Sequence, residues 1–421
     1  MKTIVIVATL DTKGNEARYL KELIEKKGHN TIIIDAGVLG EPVFKPTITR
    51  QEVAKAGGAS LQGLISAAHK GAERGSVTEI MIRGVVNIVK KLYSDGKLDG
   101  IISIGGGTGT AIGTAAMRAL PVGVPKLMVS TLVGFMDTSK FVGTKDIAMM
   151  NSVADIVGLN RLTRKILANA AGAIVGMAEM ESPPVGARPL IGMVCMGVTT
   201  PAVMKAKSLL ENQGYETVVF HGSTKPLEEL IEEGLIDGVL DLTYTLQIGF
   251  YSIEVTGKTI RMDGLKERLK PAYSGGIPQV IAPGGLDMII FPQPKEEVLK
   301  QYPEFVKGRK LHRHGPYATL ARTNKTEMIE LGSIIAENVN KAAGPVAIVI
   351  PLRGFSSVDK EGFNLYDPEA DMALIETLKK NIRKDIKVVE VDANINDDEF
   401  AERVVSVFIE LMNKEKEVKN W

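Results

Sequence analysis

Short runs of β-branched and aliphatic residues alternate along this chain with longer stretches whose apolar positions recur at helical spacing. The first run, residues 3–8 (TIVIVA), has no charged position and predicts a strand covered on both faces. A polar segment, residues 9–14 (TLDTKG), predicts a loop, and residues 15–27 place Ala17, Leu20, Leu23 and Ile24 on one helical face. Gly28 stands where a helix-ending glycine belongs, and residues 31–34 make a second apolar run closed by Asp35. Strand, helix and strand in such close succession read as a right-handed βαβ unit with a parallel sheet.

Residues 49–96 read as helical, with Val77, Met81, Val85, Ile88 and Leu92 as a late apolar stripe. Asp99-Gly100 turns the chain into residues 101–110 (IISIGGGTGT), a buried strand running into glycines and then a helix over residues 109–119. A strand over residues 126–130 follows, then a polar stretch (VGFMDTSKFVGTKD, 133–146) and a long Ala-rich helix over residues 160–180. Residues 181–189 (ESPPVGARP) are a linker by composition.

Beyond the linker the pattern begins again. KKGHNTIIID (26–35) matches NQGYETVVFH (212–221), LDGIIS (98–103) matches IDGVLD (236–241), and GVPKLMV (123–129) matches GIPQVIA (276–282). Three blocks in one order predict an α/β chain of two similar Rossmann-like lobes, each a mainly parallel sheet with helices on both faces, and a cleft between them. The expected boundaries are 1–182 for the amino-terminal lobe, 183–189 for the linker and 190–421 for the carboxyl-terminal lobe. The first lobe carries extra helical chain before its glycine strand. In the second, Thr243-Tyr-Thr-Leu stands where the glycines stood.

Composition narrows the partners. Lys and Arg number 51 against 50 Asp and Glu, so no global field recruits nucleic acid or anionic membrane. One cysteine, Cys195, excludes an internal disulfide framework and suits a reducing compartment. Charges at Asp11, Lys13 and Glu16 follow the first apolar run too soon for a signal peptide, and a cytoplasmic protein is expected. A homo-oligomer is expected for an α/β protein of this kind.

The glycine run carries the most specific chemistry. Glycines let main-chain amides converge on a ligand, and a helix amino terminus adds partial positive charge, so Gly105, Gly106, Gly107, Thr108, Gly109 and Thr110 suit a phosphate. No Gly-Lys-Ser/Thr follows, and the GxGxxG spacing is not met, so neither standard nucleotide fingerprint applies. A tight turn packed with glycine is the alternative. Ligands of parallel sheets lie at the carboxyl ends of strands, which brings in the first loop: Lys13 as fixed cation, Thr12 or Thr108 as hydroxyl donors, Asp11 for Mg2+ or a ribose hydroxyl. Helix capping by Asp11 and Thr12 competes with that reading. Asp35 suits a ribose or a turn. Thr144 and Asp146 either close over the same ligand or lie in a solvated loop.

In the second half, His312 and His314 fall two residues apart on an extended segment and share a face. With Asp287 or Asp241 they suit a metal site or an acid–base pair. Plain surface histidines beside Arg309, Lys310 and Arg313 are one alternative, and a basic run that holds an acidic ligand is another. Cys195, with no base beside it in sequence, fits packing better than nucleophilic chemistry.

Taken together, IVIVATLDTKG, GIISIGGGTGTAIG, LPVGVPKLMVST and VGTKDIAMMNSVADIVGLN, with GVTTPAVMKAK, GGLDM, RKLHRHGPYATLART and NLYDPEAD, resemble the ATP-binding family named after the tomato mosaic virus resistance protein. The resemblance implies ATP at Thr9, Asp11, Thr12, Lys13, residues 105–110, Thr144 and Asp146. One departure is Gly315 after His314, where the plant pattern has Asn. The expected function is an ATP-dependent enzyme acting on an acidic small molecule held in the cleft near Asp287, His312 and His314. A non-catalytic, nucleotide-regulated scaffold is the alternative.

Overall fold

The structure is a computed structural model and describes residues 1–69, 74–181, 188–249 and 253–419. The chain divides into two compact units, Met1–Val185 and Gly186–Trp421. The expected linker at 183–189 falls mostly on residues outside those described.

The first unit runs β1 (Thr3–Ala8), α1 (Leu10–Lys26), β2 (Asn30–Asp35), α2 (Arg50–Ala56), α3 (Leu61–His69), α4 (Arg74–Ser94), β3 (Gly100–Gly105), α5 (Gly107–Arg118), β4 (Lys126–Ser130), α6 (Ser139–Val142), β5 (Ala148–Asn151) and α7 (Arg161–Glu179). Its five strands are parallel in the order β2-β1-β3-β4-β5. Successive side chains of a strand leave by opposite faces. Ile4 and Ile6 therefore pack with α1 and α7, while Val5 and Val7 pack with α2, α4 and α5. Both faces are covered, which is why β1 has no polar residue between Ile4 and Ala8.

The second unit contains β6 (Leu190–Cys195), α8 (Thr200–Asn212), β7 (Glu216–His221), α9 (Lys225–Glu232), β8 (Gly238–Asp241), β9 (Glu254–Thr256), β10 (Thr259–Arg261), α10 (Lys270–Gly275), β11 (Gln279–Ile281), β12 (Met288–Phe291), α11 (Lys295–Gln301), α12 (Pro303–Val306), β13 (Leu311–Arg313), β14 (Thr319–Arg322), α13 (Lys325–Asn340), β15 (Val346–Pro351), α14 (Pro368–Asn381), β16 (Lys387–Val391) and α15 (Asp398–Lys419). Six of these strands form a parallel sheet in the order β16-β15-β11-β8-β6-β7. A three-stranded antiparallel sheet, β12-β14-β13, and the hairpin β9-β10 were not foreseen, because strands of three or four residues are too short to show a period.

The two large sheets share a core order. β2-β1-β3-β4 in the first unit corresponds to β7-β6-β8-β11 in the second, and the three matched sequence blocks fall on β2 and β7, β3 and β8, and β4 and β11. The fold is α/β with two similar Rossmann-like sheets. Among the described residues no helix is long and apolar enough to cross a membrane.

One local expectation is corrected. Residues 9–14 are not a loop: α1 begins at Leu10, with Thr9 as its cap residue, and the helix is broken at Lys13 (φ −124°, ψ 19°). The amides of Thr12 and Lys13 both donate to the Thr9 carbonyl, which makes the polar stretch the first turn of the helix.

Candidate functional site

At the carboxyl ends of β1, β2 and β3 lies a cavity of about 590 Å3. Its wall combines the first turn of α1 (Thr9, Asp11, Thr12, Lys13), the glycine run (Gly105, Gly106, Gly107, Thr108, Gly109), residues 36–39 after β2, and Val77 and Thr78 of α4. This is the edge where strand order reverses about β1 and β3, the place for a ligand in an open parallel sheet.

The glycines divide by role. A Cβ on Gly105 would meet the Gly109 Cα at 2.7 Å, and one on Gly109 would meet the Ile104 carbonyl at 3.0 Å, so these two let α5 start hard against β3. Gly107 is different: a Cβ there would meet nothing within 4 Å. Its missing side chain leaves open space beside the first-turn amides. The cap residue of α5 is Gly106, which offers no side-chain acceptor, and the first intrahelical bond in that turn runs from the Thr110 amide to the Gly106 carbonyl. The amides of Gly107, Thr108 and Gly109 are therefore left for an outside acceptor, at the positive end of the helix dipole.

Carboxylates lie close behind. Asp11 Oδ2 accepts the Gly40 amide (3.1 Å), while Asp11 Oδ1 is buried and accepts nothing among the described residues. Asp35, fully buried, accepts the amides of Leu10 (3.0 Å) and Gly37 (2.9 Å) through Oδ1. It fastens the start of α1 to the end of β2 rather than facing the cavity, as a turn aspartate does. Burial pushes its carboxyl above the ordinary value, and the Asp11 charge adds to the rise. Lys13 lines the cavity, but its ammonium donates to the Ile156 carbonyl.

Three expected ligand-binding residues lie elsewhere. Thr110 is fully buried, its hydroxyl 2.7 Å from Ser130 Oγ, and it ties α5 to β4. Asp146 binds the buried Lys126 ammonium (2.7 Å) and the Gly123 amide (2.8 Å) where β4 begins. That is the amino edge of the sheet, opposite the glycine run, and Thr144 belongs to the same loop. A parallel strand enters at that edge, so a loop preceding β5 cannot close over a ligand at the other. Conversely, Val77 and Thr78 were missed, because no sequence signal ties the start of α4 to a loop so distant in the chain.

In the second unit the histidines are neighbours, with ring centroids 6.4 Å apart. Partial burial, and then the charge of His314, holds His312 below its ordinary value. Asp287 is not with them. It is fully buried, Oδ2 accepting from Ser356 Oγ (2.7 Å), in a cluster with Asp359, Asp371 and Arg322. Burial, and then the Asp359 charge, pushes its carboxyl up to about 7, and the same causes push Asp371 up to about 8. No hydrogen bond joins Asp287 to either imidazole among the described residues, so the expected catalytic trio is not assembled. Among the described residues no group of three or more His, Cys, Asp or Glu is arranged to hold a metal ion. Much of the basic run is also taken: Arg309 pairs with buried Glu327 (2.6 Å), and Lys310 donates to the Tyr366 carbonyl (2.5 Å). Cys195 packs in the core with its Sγ 3.3 Å from Thr200 Oγ1.

The place that corresponds to the glycine run in the second unit, after β8, is filled by the chain itself. Asp241 and Arg268 form a buried ion pair, Arg268 donates to the Thr243 carbonyl (2.7 Å), and its guanidinium lies 4.0 Å from the Tyr244 ring centroid.

Residues 2–183 match the N-terminal domain, and residues 188–412 the C-terminal domain, of an uncharacterised protein family, UPF0261. A UPF0261 protein of Clostridium tetani is 46% identical over 418 residues, 98% of this chain and 100% of that one. The ToMV susceptible protein tm-1(GCR26) of Solanum lycopersicum is 31% identical over 440 residues, covering 99% of this chain but 56% of the tomato protein. Among solved structures, a UDP-N-acetylglucosamine 2-epimerase aligns over 96% of this chain and 95% of its own at 10% identity with a TM-score of 0.19, a likeness that carries no argument.

Proposed function

The chain belongs to the UPF0261 family, and from that premise we propose that its first unit binds ATP by the phosphates at the opening turn of α5. One observation carries the reading: three first-turn amides with no capping side chain, beside a glycine whose Cβ position is empty, open on a cavity of about 590 Å3. The hydroxyls of Thr9, Thr12 and Thr108 line the same wall and supply further donors. The amides serve the phosphates by geometry and dipole. Asp11 fits Mg2+, since its Oδ1 is buried without a partner, and the cation would neutralise phosphate charge next to that carboxylate. Val38, Leu39 and Val77 offer an apolar wall for the base.

Whether turnover follows binding separates two readings. The non-catalytic one is favoured by the state of the two ionisable side chains in the wall: Lys13 is held by Ile156, and Asp11 by Gly40. Calorimetry with ATP, ADP, AMP and NAD tests the site. Affinity should fall from ATP through ADP to AMP as phosphates are removed, and that for ATP should drop at least tenfold in a Gly107→Ala/Thr108→Val variant. Equal binding by the variant would remove the site. Phosphate release from ATP across a panel of carboxylic acids tests turnover.

A further inference from the structure

We propose that a second cavity, at the carboxyl ends of β4 and β5, is a subsite for an uncharged, hydroxyl-rich small molecule placed beside the nucleotide phosphates. Its position relative to a nucleotide rests on the preceding reading; its own chemistry does not. The cavity holds about 420 Å3, and its wall includes Thr131, Phe135, Asn151, Ser152, Val153 and Asp155.

Two contacts make it a neighbour of the first cavity. The Thr131 amide donates to the Gly105 carbonyl (3.2 Å), and Thr131 Oγ1 lies 3.6 Å from the place a Cβ on Gly106 would take. From the other side, the Lys13 ammonium donates to the carbonyl of Ile156, the residue after Asp155. A backbone hydrogen bond and one lysine hydrogen bond thus tie the segments that carry the second wall to those that carry the first.

The chemistry of the wall selects the ligand. It has two hydroxyls, a primary amide, a carboxylate and an aromatic ring, and no Lys, Arg or His among its described lining residues. A carboxylate and an amide accept from and donate to adjacent hydroxyls, and a ring face covers the C–H side of a polyol. With one carboxylate and no cation, the wall disfavours an anion. Phe135 is 71% exposed and Val153 70% exposed, so both apolar surfaces stand ready for a partner. Val153 also holds a positive φ (63°), which a β-branched residue adopts only under constraint, and Asn151 Oδ1 fixes it by accepting its amide (2.8 Å).

Saturation-transfer NMR on the whole chain, with glycerol, D-glucose, myo-inositol and citrate as probes and with ATP present or absent, tests the assignment. At least one of the three polyols should show saturable transfer, weakened tenfold or more in Phe135→Ala and in Asp155→Asn, while citrate shows none and calorimetric ATP affinity is unchanged in both variants. Both side chains are exposed, so the variants fold. Absence of saturable transfer from all three polyols, retention of it in both variants, or preference for citrate would overturn the subsite. Polyol transfer that depends on Phe135 in a protein that fails to bind ATP would uphold the subsite and sink only the nucleotide reading.

Discussion

Lys126 Nζ lies 2.7 Å from Asp146 Oδ1, the lysine wholly buried and the aspartate still 42% exposed. The lysine also donates to the carbonyls of Pro121 (2.6 Å) and Val124 (2.9 Å), so this pair clamps the loop before β5 to the start of β4. Asp146→Ala should destabilise the first unit by about 2 kcal/mol, as loss of a charged hydrogen bond to a buried cation does. ATP affinity should stay within twofold. Urea denaturation and calorimetry on the same variant read both quantities.

The glycines after β3 should separate by function. Gly105→Ala places a methyl 2.7 Å from the Gly109 Cα and should cost about 2 kcal/mol of stability, because backbone cannot move aside cheaply. Gly107→Ala meets no atom and should leave the unfolding midpoint unchanged, yet lower ATP affinity about tenfold by crowding the amides, a difference of about 1.4 kcal/mol. An unchanged affinity in Gly107→Ala would show that no phosphate sits there.

The buried acids of the second unit set a pH dependence. Asp287 and Asp371 titrate in the folded chain at about 7 and about 8, above their unfolded value of about 3.8, so the folded state binds protons that the unfolded state has lost. The stability this contributes is complete below about pH 4 and is lost as pH rises through 7 and 8. The second unit should therefore become progressively easier to unfold between pH 5 and pH 8.5, which urea denaturation at a series of pH values measures. Asp371→Asn, which cannot ionise, should flatten the upper part of that slope. A second unit more stable at pH 8.5 than at pH 5 would contradict the cluster.

Cys195 is 7% exposed and packed against α8 and α15. A thiol reagent should modify it only through global unfolding of the second unit, at least a hundredfold more slowly in buffer than in denaturing urea, with a denaturant dependence that follows unfolding. Rapid labelling in buffer would mark a reactive thiol instead.

The sequence made the parallel sheets legible because their strands are covered on both faces: TIVIVA and IISIG advertise burial without reference to any other part of the chain. The internal repeat was legible for the same reason, since the matched blocks are the buried strands themselves. Asp11 and the glycines could be placed at the carboxyl edge of the sheet because that edge is fixed by strand direction alone. Asp146 was misplaced because its partner, Lys126, is a lysine at the mouth of an apolar strand, and nothing local announces that it is buried. Asp287 was misread for a similar reason. Its companions Arg322, Asp359 and Asp371 come from β14, a loop and α14, and only tertiary packing unites them.

Arg268 and Tyr244 have a bearing on stoichiometry. A protein made of two like halves invites the assumption of two equivalent sites, yet the half without the glycines carries its own guanidinium and phenol ring at the corresponding place. Titration should therefore saturate at one nucleotide per polypeptide, the second hollow being occupied from within.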